Sequence, residues 1–175
     1  VSTRDTGRFH VFVGEFSDGQ LIAEPIVEER ESSIERYYYS SFDHELSPVW
    51  AADGQSLFYV SNTEVPYGTG NIMRLSLEDG AQPKLVRREE TSWNASPDVA
   101  PDGRRIAYAS YLGRQWPQLW VTHVDGDAAP FPLTSGNFDI TAPRWSPDGS
   151  KIAYITNEGG DTALQIQECV GGRQV

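Results

Sequence analysis

The chain of 175 residues has one cysteine, one methionine and three histidines, and 14 basic residues against 25 acidic ones. A lone Cys169 excludes an internal disulfide and any Cys₂ or Cys₄ metal site, so it reads as a small apolar filler. The formal charge of −11, with no run of Lys or Arg, argues against a nucleic-acid partner, because phosphate binding needs cations. It favours solubility and, if anything, a basic partner. No apolar stretch approaches the roughly 18 residues that span a membrane. No signal peptide opens the chain, and its start at Val1 rather than Met is expected to be a processing boundary with a leader still open upstream. No segment combines a helical period with caps.

What the chain does have is aromatics, at 11 %, with 16 glycines and 11 prolines. That mixture suits many short strands joined by polar turns. Three segments are self-similar: Ser47 to Asn62, Ser96 to Ser110 and Ala142 to Asn157. Their Asp-Gly pairs start at Asp53, Asp102 and Asp148, steps of 49 and 46 residues, the length of one four-stranded propeller blade. Each Asp-Gly is a tight-turn signal, because Asp caps the turn and Gly accepts positive φ; in two of the three a proline precedes and fixes its own φ. An alternating run such as Ile152-Ala153-Tyr154-Ile155 follows, which makes a hairpin of the first two strands. Third strands are expected at 71–77, 118–124 and 163–167, with Leu164 and Ile166 on one face, and fourth strands near 84–87 and 131–134.

Ahead of these, Arg8 to Phe16 alternates, Ser17-Asp18-Gly19 turns and Gln20 to Val27 returns, as third and fourth strands of an earlier blade. The expected division is 1–46 for that blade end and linker, 47–95 and 96–141 for two blades, and 142–175 for an incomplete one, about 13 to 14 strands in all. The fold class is therefore all-β, a partial propeller of about three blades. Three blades do not close a ring, and open blade faces expose apolar surface. The chain is then a section of a longer propeller, or copies associate. A homodimer in which strands one to three of one copy join strands three and four of another would give six blades.

The string Pro143-Arg144-Trp145-Ser146-Pro147-Asp148-Gly149-Ser150-Lys151-Ile152-Ala153-Tyr154 resembles the repeat of TolB-like β-propellers, which are themselves similar to WD-repeat propellers. The resemblance covers about 47–167. The first repeat departs from it with Ala51-Ala52 and the second with Val99-Ala100, but each keeps its Asp-Gly. The stretches Tyr39 to Glu45 and Ser110 to Trp116 also resemble propeller regions of bacterial proteins that carry a metal-dependent amidohydrolase-like domain downstream. The resemblance implies a bacterial periplasmic or secreted location and a protein-binding or scaffolding role. As alternatives it implies a substrate gate beside an amidohydrolase or serine peptidase domain absent from this chain, or a propeller hydrolase or lyase.

Propellers of this kind bind partners at the channel mouth, where loops lead into the innermost strands. Those loops hold Asp43, His44 and Glu45; Glu90, Trp93 and Asn94; and Asp139. Phe42-Asp43 parallels Phe138-Asp139. One reading makes each Asp a loop cap that accepts backbone N–H bonds; the other makes Asp43, Glu90 and Asp139 a ring for a cation or a basic partner group. Arg114 and Trp116, in one loop, are side chains of the kind that anchor protein interfaces. His44 and Glu45 suit a metal, but His10 and His123 fall on third strands of different blades, and no His-x-x-x-His exists. No Gly-x-Ser-x-Gly or phosphate loop occurs. No cofactor, metal or catalytic residue is assigned, and catalysis is the weaker expectation.

Overall fold

A computed structural model describes residues 2–4, 9–28, 32–35, 42–66, 70–89, 95–170 and 173–174. Among these are fifteen strands and no helix, arranged in four antiparallel sheets. The first sheet is β1 (Ser2–Arg4), β2 (Phe9–Ser17) and β3 (Gln20–Pro25). The second is β4 (Glu45–Trp50), β5 (Ser56–Ser61), β6 (Asn71–Ser76) and β7 (Lys84–Arg87). The third is β8 (Asp98–Val99), β9 (Arg105–Ser110), β10 (Gln118–His123) and β11 (Phe131–Pro132). The fourth is β12 (Ile140–Trp145), β13 (Lys151–Thr156), β14 (Ala163–Val170) and β15 (Arg173–Gln174). Each sheet runs in chain order, one up-and-down blade after another. The strand count exceeds expectation because β1, three polar residues, carries no alternation a sequence reader could use.

The three repeats fold alike to the level of single bonds. In each, the Asp side chain accepts the N–H two residues on: Gln55 from Asp53 at 2.8 Å, Arg104 from Asp102 at 2.9 Å and Ser150 from Asp148 at 3.0 Å. The glycine that follows each Asp takes φ of 68°, 68° and 70°. Its N–H donates to Ala51, Ala100 or Ser146. The hydroxyl of Ser146 and the N–H of Ser150 hold the Asp148 carboxyl down to about 2. Ser47, Ser96 and Ala142 share a second feature. Each precedes a proline and takes positive φ, 51°, 41° and 49°. In β4 and β12 the ladder slips across this residue, between Leu46 and Val49 and between Thr141 and Arg144.

Sheets stack face to face, and the core lies in the three joints. Val11 of the first sheet meets Leu57, Tyr59 and Leu75. Phe58, Val60 and Ile72 meet Ile106, Tyr108 and Trp120. Ala107, Leu119 and Val121 meet Trp145, Ile152 and Tyr154, with Cys169 buried in the same joint. The second and third sheets thus bury both faces, and truncating one such Leu or Ile would cost about 2–5 kcal/mol. Arg105 lies 4.8 Å over the Trp145 ring across the third joint. The first sheet is splayed, which leaves a groove of about 580 Å³ between Val13 and Ile22 on one side and Leu75 and Leu77 on the other.

Candidate functional site

Because every sheet is antiparallel, the loops before β4 and β12, after β5, after β7 and between β9 and β10 all fall at one end of the blades. This rim holds Asp43, His44, Glu45, Arg114, Trp116 and Asp139 of the expected residues. Glu90, Trp93 and Asn94 lie outside the described residues.

Two of the rim loops are held by the same device. The residue after β5, Asn62, accepts the His44 N–H on Oδ1 at 2.6 Å. The residue after β13, Asn157, accepts the Asp139 N–H on Oδ1 at 2.7 Å. The return bonds match: Asn62 N–H to the His44 carbonyl at 3.3 Å and Asn157 N–H to the Asp139 carbonyl at 3.4 Å. Asp139 is therefore the counterpart of His44, not of Asp43, and the Phe-Asp parallel seen in the sequence is out of register by one residue. The cap on the Asp139 loop comes from Asn157, whose Nδ2 also donates to Asp139 Oδ2 at 3.2 Å. Asp43 accepts the Thr63 hydroxyl at 3.2 Å, and Thr63 in turn meets the Ser61 hydroxyl at 2.9 Å.

A second device acts at the start of β6 and β10. Asn71, first in β6, accepts the Glu89 N–H on Oδ1 at 2.7 Å. Gln118, first in β10 and fully buried, donates to the Phe138 carbonyl at 2.8 Å and accepts from the Thr134 hydroxyl at 3.0 Å. On β2, His10 Nδ1 sits 3.3 Å from Glu45 Oε2, both side chains buried. His44 joins the same joint through Nδ1, which accepts the Phe9 N–H at 2.9 Å, and its ring lies against that of Phe9. In each case a polar side chain ties one blade to the loop that leads to the next.

Glu89 was not expected, since β7 ends at Arg87 and no periodicity separates Glu89 from Glu90. It is buried between the second and third sheets, accepts the Ser110 hydroxyl and faces Tyr108, with Arg87 Nε 3.6 Å away. Burial pushes its carboxyl above the ordinary value of 4.5, only partly offset by Ser110, Tyr108 and Arg87. Burial and the neighbouring Glu89 charge push the Tyr108 phenol up as well.

Arg114 is exposed and stacks its guanidinium 5.3 Å over the Trp120 ring, whose Nε1 donates to the Ser110 carbonyl at 2.9 Å. Trp116 is half-buried in the same loop. The rim thus offers an aromatic-basic loop beside acidic ones. Among the described residues no group of three or more His, Cys, Asp or Glu side chains is arranged to hold a metal ion.

No family model matches the chain. Among curated proteins it is 44 % identical over 162 residues to the Tol-Pal system protein TolB of Shigella dysenteriae, covering 75 % of this chain and 36 % of that protein. It is 38 % identical over 86 residues to the uncharacterized peptidase YuxL of Bacillus subtilis, covering 43 % of this chain and 12 % of that protein. The chain spans well under half the length of these relatives. Among solved structures, TolB from Acinetobacter baumannii superposes with a TM-score of 0.68 at 18 % identity, over 94 % of this chain and 36 % of that one.

Proposed function

Taking this chain as a partial β-propeller of the TolB-like kind, we propose that it is a non-catalytic protein-binding module of a periplasmic or secreted protein. Its partner engages the loop-bearing rim. The reading rests on one observation: the rim loops are fixed by side-chain hydrogen bonds of Asn62, Asn71, Gln118 and Asn157, so their exposed side chains are pre-organised. Rigid presentation lowers the entropic cost of binding. Trp116 and Arg114 are the anchors, and Asp139 adds an acidic contact for a basic partner group. The match to YuxL covers 12 % of that protein and lends a peptidase-gating role no support beyond the shared repeat.

The test is site-specific photo-crosslinking in envelope extract, with the crosslinker at position 116 on the rim or at position 53 in the opposite turns. One discrete protein adduct from position 116, absent from position 53 and lost in Arg114→Glu, is the expected result. Equal labelling from both ends, or none from the rim, would reject it.

A further inference from the structure

The hairpin of β2 and β3 is longer than its counterpart in the third sheet, and the extra length overhangs the second sheet. The Ile26 N–H donates to the Val11 carbonyl at 3.0 Å, as the Leu133 N–H donates to the Leu119 carbonyl at 2.8 Å. These bonds set Val11 and Ile26 level with Leu119 and Leu133. Beyond that level the third sheet has two ladder pairs, Trp120 with Pro132 and Val121 with Phe131. The first sheet has six, from Phe12 with Pro25 to Ser17 with Gln20. Alternation along β2 puts Glu15 on the same face as Val13, which is turned toward the second sheet; Ile22 and Glu24 lie opposite them on β3. This face is inside the chain, between its first two sheets.

The overhang forms one wall of the 580 Å³ groove, and Leu75, Leu77 and the turn at Glu78 and Asp79 form the other. At its base Val13 packs with Leu75. Above that contact the walls part, and Ile22 is 66 % and Leu77 40 % exposed within the groove. Four exposed carboxylates flank these apolar groups: Glu15 and Glu24 on the hairpin, Glu78 and Asp79 on the turn. Other acids in the turns at this end of the blades sit beside bases, Asp102 2.8 Å from Arg105 and Asp125 3.8 Å from Arg74. No Lys, Arg or His lines the groove to do the same. The groove therefore has an apolar floor between two acidic lips, at the end of the blades opposite the rim loops.

We propose that this groove seats an extended peptide segment of another protein, one that sets an apolar side chain between Lys or Arg residues. The apolar side chain covers Ile22 and Leu77, and the flanking cations meet the carboxylates of the two lips. An extended chain presents such side chains at a period of two, which suits a narrow cleft between sheets. Cations relieve the mutual repulsion of four carboxylates gathered at one place. A second copy of this chain is the wrong occupant, because it brings a charge of −11 to an acidic site. The site is separate from the rim, so its occupation does not depend on a rim partner.

The test is a titration of the purified chain with a short, end-blocked peptide of alternating Lys and Val, followed by fluorescence anisotropy and amide chemical shifts. The expected result is saturable binding that weakens in salt, with shifts confined to β2, β3 and the turn after β6. Glu15→Lys combined with Glu78→Lys should weaken binding at least about tenfold. Ile22→Ser should weaken it about fivefold, and so should Ser for Val in the peptide. The same charge change at Glu158 and Asp161, in the turn between β13 and β14, should leave it within about twofold. All the substituted side chains are exposed, so each variant should melt with the wild type. Equal weakening by the Glu158 and Asp161 pair would reduce the binding to diffuse attraction and overturn the proposal. So would the absence of any peptide-induced shift in the groove. Shifts there with calcium ions alone and none with the peptide would assign the carboxylates to a cation instead. Self-association that Ile22→Ser abolishes would assign the groove to a second copy.

Discussion

Asp98 of the third sheet accepts the backbone N–H of Trp145 in the fourth sheet at 2.6 Å, a single bond that joins two blades across 47 residues of chain. Burial raises the Asp98 carboxyl above its ordinary value of 3.8, and the Trp145 N–H and Arg144 only partly offset this. The bond is useful and the charge is a burden. Asp98→Asn keeps an acceptor oxygen and sheds the buried charge, so its thermal midpoint should equal or exceed that of the wild type at neutral pH. Asp98→Ala strands the Trp145 N–H and should lose about 1–2 kcal/mol in urea unfolding. Equal losses in the two variants would show that the carboxylate charge itself holds the joint.

Glu89 makes the chain's stability pH-dependent in a direction opposite to ordinary acid denaturation. Its folded pKa lies above the unfolded value of 4.5. The native state therefore binds the proton more tightly, and the resulting stability is complete below about 4.5 and is lost as pH rises through the folded value. Glu89→Gln removes this group's share of the dependence and keeps a partner for the Ser110 hydroxyl. Unfolding free energies from pH 4.5 to pH 8 should fall with pH in the wild type and fall less steeply in the variant, where the raised Asp98 carboxyl still contributes. A wild-type curve that rises across the same interval would contradict the assignment.

Asn62 and Asn157 cap equivalent loops but differ in exposure, and their alanine variants should differ accordingly. The Asn62 bond is partly buried, whereas that of Asn157 is exposed to water. Water replaces a lost exposed bond at little cost, but an unpaired half-buried N–H is penalised. Asn62→Ala should cost about 1–2 kcal/mol and Asn157→Ala about half that. Amide hydrogen exchange at His44 and Asp139 reads each loop separately, and the His44 amide should gain the larger exchange rate relative to its own wild-type value.

The fold was legible because its signals are local. An Asp that caps its own turn and a glycine at positive φ recur at blade length, and alternating runs follow them. Third strands were placed to within a few residues on the same basis. The rim was only half legible. Its positions follow from strand order, so Asp43, Asp139 and Arg114 could be assigned to loops at one end of the blades. Its bonds do not, because Asn62 meets His44 across a hairpin 18 residues long and His10 meets Glu45 across two stacked sheets 35 residues apart, pairings that no local pattern marks. The false Phe-Asp parallel has a simple cause: Phe42 stands three residues before β4, whereas Phe138 stands two before β12. Motif matching ignores that extra residue, and the hydrogen bonds do not.

Gly70 should be the least replaceable glycine on the rim. It closes the loop between β5 and β6 with φ of 116°, a conformation that side chains rarely adopt. A Cβ there would fall 1.9 Å from the Ser61 carbonyl oxygen, which is backbone and cannot step aside. Gly54 is the fitting contrast, because its φ is 68° and nothing lies within 4 Å of the added carbon. Gly54→Ala should cost about 1–2 kcal/mol, the strain of a left-handed residue. Gly70→Ala adds a backbone clash to that strain and should cost more than about 3 kcal/mol. Because the same loop carries Asn62 and Thr63, which hold His44 and Asp43, the damage should also reach the rim. Thermal melts rank the two variants, and hydrogen exchange at His44 reports the rim. A Gly70→Ala protein as stable as Gly54→Ala would mean that the loop takes another path than the one described.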